Sequence, residues 1–524
     1  MLLSIQGKIY TIEEIQDKVI SLINQIESAY QKRLINLKRY FKELNGETTI
    51  PDPQFEWQSR FVSSLFYQKI FFAYALLRKF LDKAFENLFE VETENPVLQS
   101  AIKRVLEHYI KILDLKTVLS QTLYYSLLSA YGLIYFDYDT NLRRITIQTF
   151  NPLLTKITPD KNYVCITKYL PAPEVIRRYK VELTADDFYS LTTEEEETYT
   201  YLKNIYNNAL VRIDEIYGIL VVNPDDVILP TKYIVLNKQK VIEAESFYDH
   251  EKPFVVEFLY GIDAQISFAD LVYPYHVQDT IITRAFLDTA LLTLSIGIEM
   301  DVTSLDPDAS PENLQPFMVL RKKTPEDVIK NFSLANFNPN VLPIRQLILQ
   351  EATNISAITE FLMGLPTSKG RPTAKEVMLK TQQSIQTLSV FVEKFETSFL
   401  KQVLQKLLYF IIKYEANNLA KGILANYPEE FIALSEIKPE EIYRQVDFKI
   451  TAFSQIVDKQ AKLEKFLATL GVLSDLGLAQ AINPIALIRE LMSLLDLPKD
   501  LLNPQALLSS TTPQSEEEQE KQEE

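Results

Sequence analysis

Apolar side chains recur at three- and four-residue steps through 373–420, a segment that contains neither Gly nor Pro. This spacing places them on one stripe of a helix, and Gly422 marks where the run ends. Thr373 and Glu376 have the spacing of a capping box, in which each side chain binds the other residue's backbone amide. Pro372 disfavours helical winding just before that point. The pattern therefore predicts one long helix that begins at Thr373 and buries one face.

Similar periodicity predicts three helices in the first quarter of the chain. The first spans 11–44, which lacks Gly and Pro and opens with a second capping box at Thr11 and Glu14. The second is predicted over about 55–90 and carries many aromatic residues, a pattern typical of a core or a subunit interface. The third is predicted over about 96–131 and has Pro at its first position.

Alternating apolar and polar residues replace the helical pattern over 132–260, which predicts a β-rich region with a hairpin at 233–242. Helical periodicity resumes over 268–297 and again over 342–364. The 301–341 segment between those two helices is rich in Pro and Asn turns. The chain therefore predicts an α+β fold that is mainly helical and has one β-containing region.

The composition offers little for catalysis. Only 11 of 524 residues are Gly, and the chain has neither a G-x-x-x-x-G-K-[ST] nor a G-x-G-x-x-G phosphate loop. The single cysteine, Cys165, excludes an intrachain disulfide and a multi-cysteine zinc site. The three histidines show no metal-ligand spacing. We therefore expect no catalytic residue, no cofactor and no metal.

The net charge of −16 argues against a groove that grips nucleic acid, because such a groove needs Lys and Arg against the phosphates. It does not exclude a passage through which DNA slides, since a weakly repulsive wall suits sliding. No apolar run reaches the length of about 18 residues that a membrane span needs. Charged residues interrupt the apolar residues near the N-terminus, which does not fit a signal peptide. We therefore expect no membrane partner.

The segment around the start of the long helix resembles the tailed-bacteriophage portal (head–tail connector) proteins. A helix that ends at Gly364, a short loop at 365–372, the sequence T-A-K-E-V at 373–377 and a long helix follow one another in that family's order. The elements before and after fall into the same order, so the resemblance covers nearly the whole chain. It implies a mainly α-helical subunit with a β-containing wing that assembles into a ring.

The resemblance also implies a division of the chain into the parts of a portal subunit. These are the wing (1–267, with N-terminal helices at 11–131 and a β-rich part at 132–260), the first stem helix (268–300), the clip (301–341), the second stem helix (342–364), the tunnel loop (365–372), the long helix of wing and crown (373–427), the crown (428–508) and a disordered acidic tail (509–524).

Two groups of basic residues are candidates for contact with DNA. Lys369 and Arg371 lie in the loop that the resemblance places near the ring axis, where symmetry would repeat each charge as a band. Such a band touches phosphates without reading bases, although two solvated loop charges are an equal alternative. The clip carries a second group, for which DNA contact and salt links to a neighbouring subunit or motor both stay open; it consists of Arg321, Lys322 and Lys323.

The resemblance implies a structural role without catalysis. Twelve copies would form a DNA channel at one capsid vertex of the virion, after assembly in the host cytoplasm. Double-stranded DNA would pass non-specifically during packaging and ejection, and the partners would be the terminase large subunit, a tail adaptor, and the major capsid and scaffolding proteins.

Two other functions remain open on the residues alone. Asp137 and Asp139 follow an apolar strand in a D-x-D pattern, which some metal-dependent glycosyl or nucleotidyl transferases use to hold a nucleotide through a divalent ion. An Asp at a strand end also commonly makes a turn. The other alternative is an oligomeric scaffold with no DNA channel.

Overall fold

The structure, a computed structural model, describes residues 2–5, 8–85, 88–139, 143–183, 210–223, 226–246, 251–259, 266–294, 296–300, 329–333, 341–358 and 391–450. The helices are α1 (Ile12–Leu44), α2 (Leu65–Ala84), α3 (Pro96–Ile112), α4 (Leu115–Ser129), α5 (Ala172–Tyr179), α6 (Phe268–Leu294), α7 (Val341–Ser356), α8 (Lys401–Lys421), α9 (Pro428–Ser435) and α10 (Ile442–Gln445). The strands are β1 (Leu2–Ile5), β2 (Lys8–Thr11), β3 (Glu90–Glu92), β4 (Tyr131–Asp139), β5 (Arg144–Gln148), β6 (Thr155–Ile157), β7 (Val164–Pro171), β8 (Leu210–Asn223), β9 (Asp226–Leu236), β10 (Lys240–Ser246), β11 (Phe254–Phe258), β12 (Ile296–Met300), β13 (Ile329–Ser333) and β14 (Asp447–Lys449). This mixture of helices and antiparallel strands confirms the α+β class.

The first helix begins where its capping box predicts. The Glu14 amide donates to Thr11 Oγ1 at 3.4 Å, and the Thr11 amide donates to Glu14 Oε2 at 2.8 Å. These two bonds satisfy backbone donors that a helix N-terminus leaves without partners. Asn45 caps the other end, and Gly46 follows it with a left-handed φ of +86°.

The predicted helix at 55–90 is shorter in the structure, where α2 begins at Leu65. Segment 51–63 is not helical because other parts of the chain satisfy its backbone. The Ser59 amide donates to Asp288 at 2.6 Å, and the Ser63 amide donates to Thr280 Oγ1 at 3.1 Å. Beyond α2, strand β3 pairs with β14, so the far end of the predicted helix is extended as well.

The predicted helix at 96–131 is divided into α3 and α4. Asp114 adopts left-handed backbone angles, with φ of 48°, and Ala130 does the same at the end of α4, with φ of 72°. Neither position holds the Gly that usually marks such a conformation. The break turns the chain so that Leu106 of α3 and Leu123 of α4 are buried in the same core.

Two antiparallel sheets form the β-rich region. The larger has the strand order β10-β9-β8-β7-β6, and the smaller has the order β11-β4-β5. The predicted hairpin at 233–242 is confirmed, since β9 and β10 pair across a turn in which Asn237 and Lys238 have φ values of 45° and 60°. Two successive positive φ values are typical of the tight hairpin turn that matches strand twist.

A buried charge cluster fixes α1 to the larger sheet. Glu27 accepts hydrogen bonds from Lys156 at 2.7 Å, from Arg212 at 2.9 Å and from Lys238 at 2.5 Å. Arg212 also donates to Asp214, which is fully buried. Burial alone would raise the pKa of Glu27, but the three cations outweigh it and lower the pKa from 4.5 to about 2.

This lowered pKa predicts a loss of stability in acid. Because the folded state holds Glu27 ionised, its contribution is complete above the unfolded pKa of 4.5 and disappears as the pH falls towards about 2. We therefore expect the urea midpoint of the unmodified protein to fall more steeply between about pH 5 and pH 2 than that of Glu27→Gln. The matched control is Glu94→Gln, at an exposed position. Parallel pH profiles for all three proteins would contradict the prediction.

Candidate functional site

Helices α6 and α7 pack together and are joined through a short antiparallel ladder. Strand β12 follows α6 directly and pairs with β13, with Ile296 opposite Ser333 and Met300 opposite Ile329. The return strand leads towards α7, which packs on α6. We call this unit the stem hairpin: α6, β12, β13 and α7. It occupies the part of the chain in which the sequence predicts two helices around a polar excursion.

Both helices of the stem hairpin end earlier than predicted. Helix α6 stops at Leu294 rather than near 297–300, because the residues from Ile296 onwards hydrogen-bond across the ladder. Helix α7 stops at Ser356, and Ala357 follows in a left-handed conformation with φ of 54°. The remainder of the predicted second helix, 359–364, lies outside the described residues.

Helix α6 carries a polar row along one side. Successive members are three or four residues apart, so they lie one above another on the helix surface. Hydrogen bonds from this row reach α1 and the segment that precedes α2. Its members are Asp270, Tyr273, His276, Thr280, Arg284 and Asp288.

At the start of α6, Asp270 connects three parts of the chain. Its carboxylate accepts a short hydrogen bond from Arg33 and a second one from the Tyr40 hydroxyl at 2.6 Å. Arg33 also donates to the backbone oxygen of Leu128 at 2.8 Å, which joins α1 to the end of α4. Burial would raise the pKa of Asp270, but Arg33 and Tyr40 outweigh burial and hold that pKa below its ordinary value. Asp270 is therefore a negative charge at the contact between α6 and α1.

In the middle of the row, a buried His–Glu contact joins α6 to α1. His276 Nε2 lies 3.2 Å from Glu43 Oε2, and both residues are buried. The other oxygen of Glu43 accepts from the amide and the hydroxyl of Thr49, both at 2.8 Å. The Thr49 hydroxyl in turn lies 2.6 Å from the Tyr273 hydroxyl. Burial opposes ionisation of Glu43, but the contacts with His276 and Thr49 outweigh it and lower the pKa of Glu43.

Asp279 links both helices of the stem hairpin to the segment before α2. This carboxylate is 1% exposed and accepts from the Ser63 hydroxyl at 2.6 Å and from Arg345 Nε of α7 at 2.7 Å. Lys69 of α2 also reaches α7, through Thr353 at 3.1 Å and a short bond to the Ile358 backbone oxygen. The hairpin is therefore fixed to the N-terminal helices at several points.

Arg284 and Asp288 complete this attachment near the end of α6. Arg284 donates to the backbone oxygens of Phe61 and Pro51, each at 2.7 Å, and Asp288 accepts from the Ser59 amide. In a helix over 55–90, the backbone groups of Ser59 and Phe61 would bond within the helix. Here they bond to side chains of α6 instead. The extended segment thus follows α6 instead of forming a helix of its own.

Large apolar side chains remain exposed on the stem hairpin and on the segment attached to it. In α2 and before it, two aromatic pairs stack at the surface, with ring centroids 6.3 Å apart for Phe55 and Trp57 and 6.0 Å apart for Tyr67 and Phe71. Large contiguous patches of exposed apolar residues are typical of association surfaces. The exposed members on the hairpin are Ile281, Leu287, Leu291, Leu342, Ile344 and Leu347.

All seven residues that the sequence singles out for DNA contact or helix capping lie outside the described residues. They are Lys369, Arg371, Arg321, Lys322, Lys323, Thr373 and Glu376. The predicted long helix is described only from residue 391, and it ends at Lys421 before Gly422, as predicted. A π-helical turn at Phe395–Leu400, around the buried Glu396, interrupts it and was not predicted. The predicted acidic tail, 509–524, is also outside the described range.

The D-x-D pair of the transferase alternative lies on strand β4. Asp137 is opposite Thr146 and Asp139 is opposite Arg144 in the β4–β5 pairing, so the two carboxylates share one face of the sheet. Asp137 also lies 3.3 Å from the guanidinium of Arg178. In the part of the chain that the structure describes, no group of three or more His, Cys, Asp or Glu side chains has a metal-binding arrangement.

The polar row of α6 is the feature that sequence reasoning missed. Its signal was present as polar residues at helical spacing inside a largely apolar helix. The partners are more than 200 residues away along the chain, so the sequence did not show what the row contacts.

Among the helices described, none is both long enough and apolar enough to cross a bilayer.

A family model described as Phage SU10 portal protein matches residues 178–524 of this chain. The match covers about two thirds of the sequence. It includes the whole stem hairpin and the long helix, whereas α1 to α4 precede it. A comparison with curated proteins found no match.

The geometry around Asp279 predicts a large effect of removing Arg345. Replacing Arg345 by Met leaves a buried carboxylate with one hydrogen bond fewer, so we expect the free energy of unfolding to fall by about 1–3 kcal/mol. The control is Lys116→Met, because Lys116 and Asp82 form an ion pair in which both side chains are almost half exposed. That change should cost less than about 1 kcal/mol in the same urea titration.

A double-mutant cycle adds a second check. In an Asp279→Asn background the carboxylate that Arg345 contacts is replaced by a neutral amide, so the Arg345→Met change should cost less than it does in the unmodified protein. Equal costs in both backgrounds, or equal costs for the Arg345 and Lys116 changes, would show that the contact with Asp279 does not hold the stem hairpin in place.

Proposed function

The chain belongs to the family of the phage SU10 portal protein, and from this membership we propose that it is the subunit of a portal ring that conducts DNA at one vertex of a phage capsid. The family match confirms the resemblance to phage portal proteins that the sequence showed. Portal proteins are structural components of the virion, so a structural role follows from membership. The channel, the copy number and the individual partners belong to the proposal.

The stem hairpin supports this proposal as a candidate for the channel wall. Its two helices pack side by side and are joined by the contact of Asp279 with Arg345. The contact of Asp270 with Arg33 holds α6 against α1, and Lys69 joins α2 to α7 through Thr353. A wall built in this way keeps its shape while a polymer moves past it. The exposed apolar residues of the hairpin and of α2 offer the surface through which neighbouring copies associate. Head-to-tail association of identical copies closes into a ring when the rotation between them fits.

The proposal also assigns specific DNA contacts to the ring. Twelve copies, the number that the family implies, would repeat Lys369 and Arg371 around the axis as a positive band in a chain of net charge −16. Such a band contacts phosphates without regard to sequence, while the acidic remainder of the subunit limits tight binding. In the proposed clip, Arg321, Lys322 and Lys323 would face the terminase during packaging and the tail adaptor afterwards.

Ring formation is the first prediction of this proposal. Negative-stain electron microscopy should show rings with a central hole, and native mass spectrometry should give about twelve times the subunit mass of 60.5 kDa, or roughly 0.7 MDa. Monomers or dimers at micromolar concentration, both alone and with the phage's scaffolding protein, would contradict the portal role. A ring without DNA packaging activity would favour the scaffold that has no channel.

The proposed DNA contacts can be tested separately from the ring. Replacing both Lys369 and Arg371 by Glu should leave the mass of the ring unchanged and lower the amount of DNA packaged or retained several-fold, because the band changes from attraction to repulsion of phosphate. The control is Lys103→Glu, at an exposed position of α3. Normal packaging and retention by the double variant would refute the contact of this loop with DNA while leaving the ring intact.

A further inference from the structure

A surface patch of aromatic side chains joins α2 to α4. The rings of Tyr67 and Phe71 stack with their centroids 6.0 Å apart, and both residues are about half exposed. The Tyr74 ring of α2 meets the Tyr124 ring of α4 edge to face at 5.5 Å, and Tyr124 lies 5.8 Å from Tyr125. Burial raises the pKa of Tyr124, and the hydroxyls of the other three tyrosines raise it further, so all four lie close together.

Two cations continue this surface along α2. Arg78 and Lys79 are exposed and follow Phe71 by about two helical turns, so they lie on the same side of the helix as that ring. Among the residues that the structure describes, neither cation forms an ion pair. Asp82, the one acidic residue of α2, pairs with Lys116 at 2.9 Å, and α4 contains no acidic residue. We call this surface the aromatic patch: Tyr67, Phe71, Tyr124, Tyr125, Arg78 and Lys79.

The exposed side of α9 has the opposite character. Glu429, Ile432 and Glu436 are three or four residues apart, so they lie on one face of this helix and its end. Ile432 is 55% exposed. Within the described part of the chain, neither of these glutamates forms an ion pair. Lys438 is the one basic residue in 425–441, a stretch with five glutamates. We call this surface the α9 face: Glu429, Ile432 and Glu436.

Contacts within the subunit leave the α9 face uncovered. Helix α9 packs on α3, where its Glu430 accepts from the Ser100 hydroxyl at 3.0 Å and from Arg104 Nε at 3.1 Å. The Arg104 guanidinium also lies 3.8 Å from the centroid of the Tyr427 ring. These bonds fix the inner side of α9 and leave Ile432 at the surface. Helix α3 also packs on α4, and α4 packs on α2, so two helices separate the α9 face from the aromatic patch.

We propose that the aromatic patch of one copy binds the α9 face of the neighbouring copy. In this contact Ile432 packs against the exposed rings of the patch. The carboxylates of Glu429 and Glu436 meet the cations of Arg78 and Lys79. The inference rests on the proposed portal ring, and it names two surfaces that meet between its subunits.

Charge and composition favour a second copy as the occupant of the aromatic patch. The net charge of −16 makes copies of this chain repel one another, so they approach best where opposite charges meet. Aromatic residues and Arg are enriched at protein interfaces. The two surfaces differ, so their contact is head-to-tail, the type that can close into a ring. Duplex DNA fits less well, because the patch offers only two cations to its phosphates.

Charge reversal on either surface tests the contact in the full-length protein. The patch variant carries Arg78→Glu with Lys79→Glu, and the α9 variant carries Glu429→Lys with Glu436→Lys. Each should weaken association between copies about tenfold or more, because two attractions become repulsions. Native mass spectrometry and sedimentation velocity measure the fraction of protein in rings, at the concentration at which the unmodified protein forms them.

The control for the patch variant is Lys18→Glu with Lys32→Glu. Both lysines are exposed positions of α1, and the change in net charge is the same. This control should form rings as the unmodified protein does. Circular dichroism and the melting temperature check that every variant is folded. Equal loss of rings in the control and in the patch variant would overturn the proposal.

Mixing the patch variant with the α9 variant gives a result that misfolding does not produce. Each variant alone brings like charges together, whereas alternating copies bring opposite charges together at every contact. The mixture should therefore form rings that contain equal numbers of the two chains. A single chain that carries all four changes should form rings as well. No recovery in either case, while the unmodified protein forms rings, would overturn this contact and leave the portal role standing.

A DNA titration tests the other occupant of the aromatic patch. A short fluorescein-labelled duplex is titrated with the unmodified protein and with the patch variant, and fluorescence anisotropy follows binding. We expect the same affinity for both proteins. If the patch variant forms rings normally and loses affinity for the duplex, the patch is a DNA contact and the proposal is wrong.

Disulfide trapping locates the contact between copies. Lys79→Cys combined with Ile432→Cys in one chain should, on mild oxidation, give a ladder of crosslinked copies on a gel without reductant. The native Cys165 should not interfere, because burial raises its pKa to about 12. A ladder no stronger than that of a Lys32→Cys and Ile432→Cys control would contradict the contact. Crosslinked copies that never close into rings would support the contact and contradict the portal role.

Discussion

The buried polar contacts along α6 are the constraint on which the arrangement of the described residues depends. Asp270, His276 and Asp279 each place a polar group inside the protein, where its loss of water must be offset by hydrogen bonds. Such bonds form only within a narrow range of distances and angles, unlike apolar contacts, which tolerate sliding. A helix attached through several of them has one position along its axis and one rotation. The stem hairpin is therefore positioned by the N-terminal helices, although α1 to α4 precede the region of the family match.

Features decided by neighbouring residues were predictable from the sequence. The capping box of Thr11 and Glu14 and the hairpin around Asn237 depend on contacts within a few residues, and both are confirmed. The break at Asp114 was not predictable, because a non-glycine residue in a left-handed conformation is maintained by the surrounding core. The extended chain before α2 was missed for a similar reason, since its backbone partners lie on α6. Local patterns therefore determined many elements, and distant contacts determined where several of them end.

The family could be predicted from the sequence because the order of the elements resembles that of portal proteins. The match over 178–524 confirms this prediction. The candidate site was less accessible. The polar row of α6 is visible as a spacing, but its purpose depends on Arg33, Tyr40 and Glu43, which a reader of the sequence has no reason to connect with it. The proposed DNA contacts at Lys369 and Arg371 rest on the family resemblance, and they stay predictions.

The ladder between β12 and β13 separates a segment that can vary from the two helices on either side of it. Its strands are joined by backbone hydrogen bonds, which most side chains can support. The residues between them, 301–328, can therefore vary in sequence and in length while the ladder continues to hold the ends of that insertion together. Changes in the length of this segment therefore need not alter α6 or α7, because the paired strands lie between the segment and both helices.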